Sequence, residues 1–422
     1  MATRPSLLFV TPTMPSLVGN GLAMRAGTWL ESLAVDFDVT LLMLPLAGWA
    51  PDATPVYVAD RCRRVVVAPL HDKVDAAYVL CASVQPAQER AAALASYPRP
   101  AACRFATRAC LGVIADALAG ERFDAILVLR SYLTPYVAPL LQRREAQARP
   151  IAILDLDDDE TIGHVRQAAL YERNGRRDEA KIEAAEAEKY ARHERDWLPG
   201  FDLLIACTDE HAARLRADFR TQSVAIVPNT VAAPEGIARA PRGDPAHLLF
   251  LGNLSYWPNV DAALFLCREV WPQLCGRSGR ALQLRIVGSR PAQEVSQLAR
   301  LPGVAVIPDV PEVASHYAWA DVAVLPLRAG SGTRIKLLEA FAHQVPVVAT
   351  RIGAEGICAH DGRHLLLADD PDAIAIACLR VLDQPALARG LAACAADLVA
   401  TRYSRAEGLR AIRATVASAL EA

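Results

Sequence analysis

Residues Val322–Thr350 read VAVLPLRAGSGTRIKLLEAFAHQVPVVAT. Two short runs of apolar, largely β-branched residues flank a segment with a helical pattern. In that segment Ile335, Leu337, Leu338 and Phe341 are apolar and can bury one flank, while Lys336, Glu339 and His343 are polar. Gly330-Ser331-Gly332 stands between the first run and the helix. The pattern predicts a strand, a tight turn, a helix from about Thr333 and a second strand, which is a right-handed βαβ unit.

Working outward, the same alternation covers most of the chain. Strands are expected at Ser6–Val10, Asp38–Leu44, Arg64–Pro69, Asp124–Leu129, Ile151–Leu156, Asp202–Cys207 and Val224–Pro228. A second set is expected at His247–Gly252, Leu282–Gly288, Val304–Pro308, Val322–Leu327, Val345–Thr350 and His364–Ala368. Helices are expected at Ala23–Ala34, Arg104–Ala119, Lys181–Trp197 and about Arg405–Leu420. Between the two sets, VAAPEGIARAPRGDPAH (231–247) is rich in Pro, Gly and Ala, has no apolar period and reads as a linker. Short all-apolar strands indicate sheets covered on both faces. The expectation is two doubly wound α/β domains divided near residue 240, with ligand beyond the carboxyl ends of the strands.

Composition agrees with filled cores. The chain has 422 residues, 53% of them hydrophobic, with 45 Lys plus Arg against 47 Asp plus Glu. A balance so near zero gives no basis for a general nucleic-acid binder, which carries a basic face. Ten Cys include no CxxC pair and read as reduced, mostly buried thiols in a reducing cytoplasm. The apolar core of MATRPSLLFVTPTMPS is too short for a signal segment and reads as a first strand. No run reaches the ~20 apolar residues that span a bilayer, so a soluble protein is expected, with room for contact with a membrane from one face.

The chemistry concentrates at 330–339. The first turn of a helix carries unpaired N–H groups and partial positive charge, and glycines keep side chains out of an anion's way. Arg334 and Lys336 add full charges suited to phosphate oxygens. On a regular helix they point about 200° apart, so they share one anion only if Arg334 lies at the loop edge. Glu339 is placed to accept two hydroxyl hydrogens, as acidic residues do for ribose. The predicted ligand is a nucleoside diphosphate. The plainer alternative is a charged helix start with a Lys336–Glu339 salt bridge.

The segment LRAGSGTRIKLLEAFAHQVPVVATRIGAEG resembles the donor-binding segment of the retaining glycosyltransferases of family 4. LLFLGNLSYWPNVDAALFL, LQLRIVGSRP, IVPNTV and FVTPTMPSLVGNGLAMRAGTWLESLA resemble further segments of that family in both halves of the chain. The resemblance implies a GT-B fold: two Rossmann-like, doubly wound parallel-sheet domains facing a cleft. It implies an acceptor-side domain at 1–235, a nucleotide-sugar domain at 236–402 and a C-terminal helix at 403–422 packing back toward the first domain. It implies transfer of a sugar, with retention, from a nucleotide-diphosphate sugar, UDP- or GDP-linked, with no permanently bound cofactor and no metal.

By the same resemblance Arg334, Lys336 and Glu339 are the catalytic candidates. Ser331, Gly332, Thr333 and Ile335 would line the diphosphate. Gly252 would let the donor approach closely beside Asn253, with Gly288 and Val310 near the base. Gly19, Asn20, Gly21 and Arg25 would belong to the acceptor side or the cleft, together with Arg130 and Asp157. Two departures stand out. Ser331 occupies the place of the first of two glutamates that the family often carries, which leaves the sugar open. Arg130-Ser131-Tyr132 stands where many members place a cleft-facing His, which leaves any catalytic base open.

Other features are weighed against plainer readings. Asp155–Glu160 (DLDDDE) reads as an acidic loop at the cleft edge, as a solvated helix start, or as a divalent-ion site. Arg176–Arg195 alternates charge and reads as an exposed helix face. His164, His193, His211, His316 and His343 lack ligand spacing and read as surface or capping groups. Trp257 either anchors its loop or offers aromatic surface beside the donor. The expected setting is the cytoplasm, with peripheral contact at the inner face of the membrane. Expected acceptors are a glycan, a lipid-linked sugar or a protein, in polysaccharide or glycoconjugate synthesis. Rival readings are a nucleotide-sugar epimerase on the same fold and a degenerate nucleotide- or sugar-binding scaffold. A dehydrogenase is disfavoured, since no G-x-G-x-x-G follows a strand with an acid about 20 residues on.

Overall fold

The computed structural model describes residues 4–46, 48, 53–70, 72–141, 149–220, 222–234 and 243–421. Two compact units emerge. One runs to Asn229 and takes up the chain again from Gly408; the other is Thr230–Glu407. Residues 235–242 of the linker reading lie outside the described residues. Its last residues do not form linker, because the first strand of the second unit already starts at Ala246.

The first unit holds a seven-stranded sheet of β1 (Ser6–Thr11), β2 (Asp38–Met43), β3 (Arg64–Val67), β4 (Ala125–Leu129), β5 (Ile151–Asp155), β6 (Leu203–Ala206) and β7 (Ser223–Ile226). Their order is β3-β2-β1-β4-β5-β6-β7, and every pair is parallel. The second unit holds β8 (Ala246–Leu251), β9 (Leu282–Gly288), β10 (Val304–Pro308), β11 (Val322–Leu325), β12 (Val347–Ala349) and β13 (Leu366–Leu367). Their order is β10-β9-β8-β11-β12-β13, again all parallel. Each sheet reverses direction once, between β1 and β4 and between β8 and β11. That is the Rossmann order, and the crevice at such a reversal is where ligands bind.

Side-chain alternation explains the two covered faces. Leu8, Val10, Ile126, Val128 and Leu154 enter one buried cluster. Their neighbours Leu7, Phe9, Leu127 and Ile153 enter another. Each such residue, once fully buried, contributes about 1.5–3 kcal/mol.

The helices used below are α1 (Gly21–Asp36), α2 (Ala76–Ser83), α3 (Ala87–Ser96), α4 (Glu160–Arg173), α5 (Arg177–Trp197), α6 (Asp209–Asp218), α7 (Trp257–Phe265), α8 (Ile335–Ala342) and α9 (Arg405–Glu421). On α9, Ile412 and Val416 are 2% and 3% exposed and pack into the cluster that holds Leu7 and Phe9.

Three sequence expectations are corrected. The helix expected at Arg104–Ala119 is two pieces, a 3-10 turn at Ala101–Phe105 and a helix at Arg108–Ala117. Thr107 separates them because its side chain caps the second piece at the Cys110 N–H. The charged segment 176–195 does expose a stripe of charge, Arg177, Lys181, Glu188, Arg192 and Arg195, but it also carries polar groups inside. Glu186, Lys189, His193 and Glu194 on α5 are all buried. Glu186 accepts from the Ala101 N–H at 2.8 Å and from Lys189 at 2.7 Å, and Lys189 also donates to the Leu94 carbonyl at 2.9 Å. The Glu186 and Lys189 charges are matched inside the protein, on the flank of α5 away from that stripe. Cysteines are mixed: Cys103, Cys110, Cys207, Cys267 and Cys378 are buried, whereas Cys275 is exposed.

Candidate active site

In the second unit, β11 ends at Leu325 and α8 begins at Ile335, two residues later than the sequence suggests. The loop between them is fixed from several sides. Arg328 forms two hydrogen bonds to Asp261, at 2.8 and 2.6 Å, and its guanidinium lies 4.5 Å from the Phe265 ring centroid. The Thr350 hydroxyl donates to the Leu327 carbonyl. Gly330 and Gly332 have φ of 115° and 70°, which glycine adopts without strain.

Arg334 occupies the N-cap position of α8, so it does lie at the loop edge. Its Nη1 donates to the Ser331 carbonyl at 2.8 Å and its Nε to the Ile352 carbonyl at 2.9 Å. A Cβ on Gly330 would sit 2.9 Å from that Nη1. The guanidinium is therefore laid across the loop, tying its turn to the residues after β12.

One turn on, Lys336 Nζ donates to Glu339 Oε2 at 2.9 Å. The same oxygen accepts from the Tyr317 hydroxyl at 3.0 Å. Tyr317 is buried and stacks on His343, with centroids 4.7 Å apart. Burial, with the Glu339 charge beside it, pushes the Tyr317 hydroxyl well above the usual tyrosine range, so it stays a donor. Among the described residues the backbone N–H groups of Gly332, Thr333 and Lys336 find no acceptor, and the buried Thr333 hydroxyl has none either. The mouth of α8 thus combines unmatched donors, a helix N-terminus and a lysine on a carboxylate. That arrangement suits an anion.

Beside it in the sheet order, Gly252 and Asn253 follow β8. A Cβ on Gly288 would fall 1.7 Å from the Gly252 carbonyl oxygen, and one on Gly252 would fall 2.8 Å from Asn259 Cγ. Gly288 is required by the packing of the β8 and β9 ends, and Gly252 makes room for the Asn259 side chain of α7. Asn253 turns its loop by accepting from the Ser255 N–H at 3.1 Å and hydroxyl at 2.8 Å. Val310 is half-buried against the core of this unit. Trp257 is 9% exposed and anchors its loop, while Tyr256 is 41% exposed.

In the first unit the loop after β1 carries Gly19 at φ 103°, with open space around its Cβ position. Asn20 caps α1 by accepting from the Ala23 N–H at 2.9 Å, and Gly21 is the first helical residue. Beside this loop is a cavity of about 440 Å³ whose lining includes Met14, Pro15, Leu17, Val18, Pro55 and Tyr57.

Arg25 is not an open-surface group. It is 4% exposed and grips Asp155 with Nε at 2.7 Å and Nη2 at 2.8 Å, while Nη1 donates to the Val227 carbonyl and to Asn229. Trp29 Nε1 also donates to Asp155. The reading of 155–160 as a solvated helix start is corrected in the same way. Its carboxylates are shared among three arginines: Asp155 with Arg25, Asp157 and Glu160 with Arg130, and Asp159 with Arg214. Among the described residues no group of three or more His, Cys, Asp or Glu is placed to hold a metal ion.

Asp157 is 7% exposed, has φ 57° and accepts from Asn229 Nδ2 at 3.0 Å. Arg130, directly after β4, has φ 87°, a backbone outlier for a non-glycine residue. Burial alone would weaken its charge, but Asp157 and Glu160 outweigh that and hold it protonated. His193 and His211 are buried, not on the surface. His193 Nε2 lies 2.9 Å from the Ser131 carbonyl and 3.1 Å from the Thr134 hydroxyl. Trp29, Arg214 and Asn229 escaped the sequence reading. The one signal pointing to them was the acidic run 155–160, whose buried carboxylates need partners.

The two Rossmann-type sheets make this a GT-B fold. The sucrose-phosphate synthase from Thermosynechococcus elongatus aligns over 98% of this chain and 98% of its own, with a TM-score of 0.67 at 16% identity. Anabaena HepE, solved with UDP and glucose, aligns over 99% of this chain and 100% of its own, with a TM-score of 0.63 at 11% identity.

Sequence comparison adds the class of the second unit. Residues 245–384 match the family described as glycosyl transferases group 1. A D-inositol 3-phosphate glycosyltransferase from Arthrobacter sp. (strain FB24) is 34% identical over 195 residues, 41% of this chain and 45% of the relative. That match spans less than half of the relative's length.

Proposed function

We propose that this chain is a glycosyltransferase that moves a sugar, with retention, from a nucleotide-diphosphate sugar to an acceptor in polysaccharide or glycoconjugate synthesis. The observation that carries the reading is the mouth of α8, where unmatched N–H groups at Gly332, Thr333 and Lys336 sit at a helix N-terminus. A diphosphate takes those N–H groups and the Lys336 ammonium. Glu339 then accepts from two ribose hydroxyls, and Arg334 keeps the loop in shape. Ser331 and Ile335 flank the diphosphate, and Gly252, Asn253, Gly288 and Val310 belong to the donor side.

In the reaction the bond from the anomeric carbon to the diphosphate oxygen breaks, and a bond from that carbon to the acceptor oxygen forms on the same face. The acceptor proton passes to the departing phosphate oxygen. The protein's share is positioning and stabilisation of the negative charge that develops on the leaving diphosphate. The first unit takes the acceptor, with Gly19, Asn20 and Gly21 at the ligand surface. Arg25, Arg130 and Asp157 support that surface from within. UDP or GDP is the nucleotide, and the setting is the cytoplasmic face of the membrane.

Thermal melting of the chain with UDP, GDP, ADP, TDP and CMP tests this. One diphosphate should raise the melting midpoint while CMP, which lacks the second phosphate, does not. No shift with any diphosphate removes the reading.

A further inference from the structure

Among the described residues, five that are not glycine have φ in the left-handed region: Arg130, Asp157, Arg290, Asp309 and Gln344. Gln344 stands just past the C-cap of α8, where such a φ ordinarily ends a helix. The other four follow the carboxyl ends of parallel strands: Arg130 after β4, Asp157 after β5, Arg290 after β9 and Asp309 after β10. Strained backbone of this kind clusters at functional sites. In the first unit the two charges are used internally, since Arg130 Nε lies 3.3 Å from Asp157 Oδ2 and its Nη1 lies 2.8 Å from Glu160. In the second unit they are not.

There the turns after β9 and β10 brace each other. The Asp309 N–H donates to the Gly288 carbonyl at 3.0 Å, and Asp309 Oδ1 accepts from the Arg290 N–H at 2.9 Å. Both residues are exposed. Among the described residues nothing pairs with the Arg290 guanidinium or with Asp309 Oδ2. A guanidinium and a carboxylate oxygen are thus left open on a braced pair of strand ends. β9 stands two places from β11 in the sheet, about 10 Å at the usual strand spacing. Val310, next to Asp309, packs on the core cluster that contains Leu337 and Phe341 of α8.

We propose that Arg290 and Asp309 read the base of the donor nucleotide, and that this base is guanine. The inference rests on the donor-site reading above and narrows its choice of UDP or GDP. A nucleotide with its diphosphate at the mouth of α8 and its ribose on Glu339 reaches the β9 and β10 ends with its base. Guanine offers its N1–H and N2 amino group side by side as donors. A carboxylate accepts two parallel N–H bonds, as it does from an arginine fork. Its two oxygens have room for about four bonds, so the bond from the Arg290 N–H leaves capacity. Guanine O6 and N7 are the acceptors that arginine takes in bidentate form. Uracil places its one N–H between two carbonyl oxygens, and these repel a carboxylate. Adenine has no ring N–H beside its amino group.

The test is calorimetric titration of the full chain with GDP, IDP, UDP and ADP. Inosine diphosphate differs from GDP only in lacking the N2 amino group, so that comparison needs no variant. The wild type should bind GDP about tenfold or more tightly than UDP or ADP, with IDP between. Asp309→Asn keeps an oxygen for the Arg290 N–H but loses the carboxylate. It should lose about tenfold of the GDP affinity and bind GDP and IDP alike. Arg290→Gly suits the φ of 49°, so it should melt no lower than the wild type yet bind GDP more weakly. Equal wild-type affinity for GDP and IDP, or wild-type GDP affinity in either variant, overturns the proposal. UDP or ADP bound as tightly as GDP overturns it while the donor-site reading stands. No binding of any diphosphate removes both.

Discussion

Lys336 Nζ sits 2.9 Å from Glu339 Oε2, and that same oxygen also holds the Tyr317 hydroxyl at 3.0 Å. The lysine proposed to meet a diphosphate is thus parked on the carboxylate proposed to meet the ribose. The salt bridge of the plainer reading is present, and the unmatched N–H groups proposed to take the anion lie beside it. Lys336 is 35% exposed at its side chain, so its pair with Glu339 contributes only ~0–1 kcal/mol. Lys336→Ala should therefore melt almost as wild type yet bind the nucleoside diphosphate about tenfold more weakly, as a lost charge-assisted hydrogen bond implies. Calorimetric titration gives the affinity. Unchanged affinity would remove Lys336 from the site.

Glu339→Ala should differ, because it also strips the buried Tyr317 hydroxyl of its better acceptor and leaves the Lys336 carbonyl at 3.3 Å. A cost of about 1–3 kcal/mol in chemical denaturation is expected, along with a strong loss of sugar transfer. Tyr317→Phe separates the two effects. It should lower stability while keeping nucleotide affinity, since it leaves the carboxylate in place.

Gly288→Ala should be among the most damaging single-methyl additions in the chain. The new Cβ would meet backbone, the Gly252 carbonyl oxygen at 1.7 Å, which no rotamer change relieves. Overpacking of this kind costs ~1–3 kcal/mol or more, read as a lower denaturation midpoint with an unchanged slope. Gly19→Ala should cost less, because only its φ of 103° opposes the substitution.

Lys189→Ala should leave Glu186 buried beside helix α3 without its counter-charge. Breaking such a pair from one side costs ~3–5 kcal/mol. Among the described residues the Ala101 N–H at 2.8 Å is then the hydrogen-bond donor left to Glu186, and it carries no full charge. Urea denaturation of the single variant, set against a Glu186→Leu/Lys189→Met double variant, checks the mechanism. The double variant should recover most of the loss.

The contact between α4 and α5 should weaken as pH rises. His164 Nδ1 lies 2.6 Å from Glu183 Oε2, and its ring stacks on Tyr190 at 5.0 Å. Burial opposes its charge, but Glu183, with Glu160 and Glu186 behind it, raises its pKa above 6.5. The folded protein therefore binds this proton more tightly than the unfolded chain does. The stabilisation is fully present below pH 6.5 and is lost as pH rises through the folded value. Melting curves across that window should show the fall, and His164→Ala should flatten it.

Much of the architecture was legible because parallel strands buried on both faces leave an unmistakable record, short apolar runs such as Leu7–Val10 and Val322–Leu325. The strand–glycine–helix unit around 330–339 was legible for a similar reason. Its parts are neighbours in the chain, and local spacing states local geometry. The buried polar network was not legible. Arg25, Asp155 and Asn229 are far apart in sequence, and an isolated arginine on an amphipathic helix looks the same whether it faces water or a carboxylate. The charge pattern of 176–195 marked the exposed stripe but not the buried Glu186–Lys189 pair for that reason, since periodicity says which residues share a face but not what covers it.

By itself, then, the sequence determined the two-sheet α/β class and the strand–glycine–helix unit that presents Lys336 and Glu339, because backbone propensity and side-chain period act over a few residues. Only the tertiary structure decided that Gly252 and Gly288 press against each other, that Arg334 straps its own loop, and that the carboxylates of 155–160 are paired with Arg25, Arg130 and Arg214. Those outcomes depend on which distant groups arrive at one place, and the energy of a buried charge is set by that neighbourhood and not by its position in the chain.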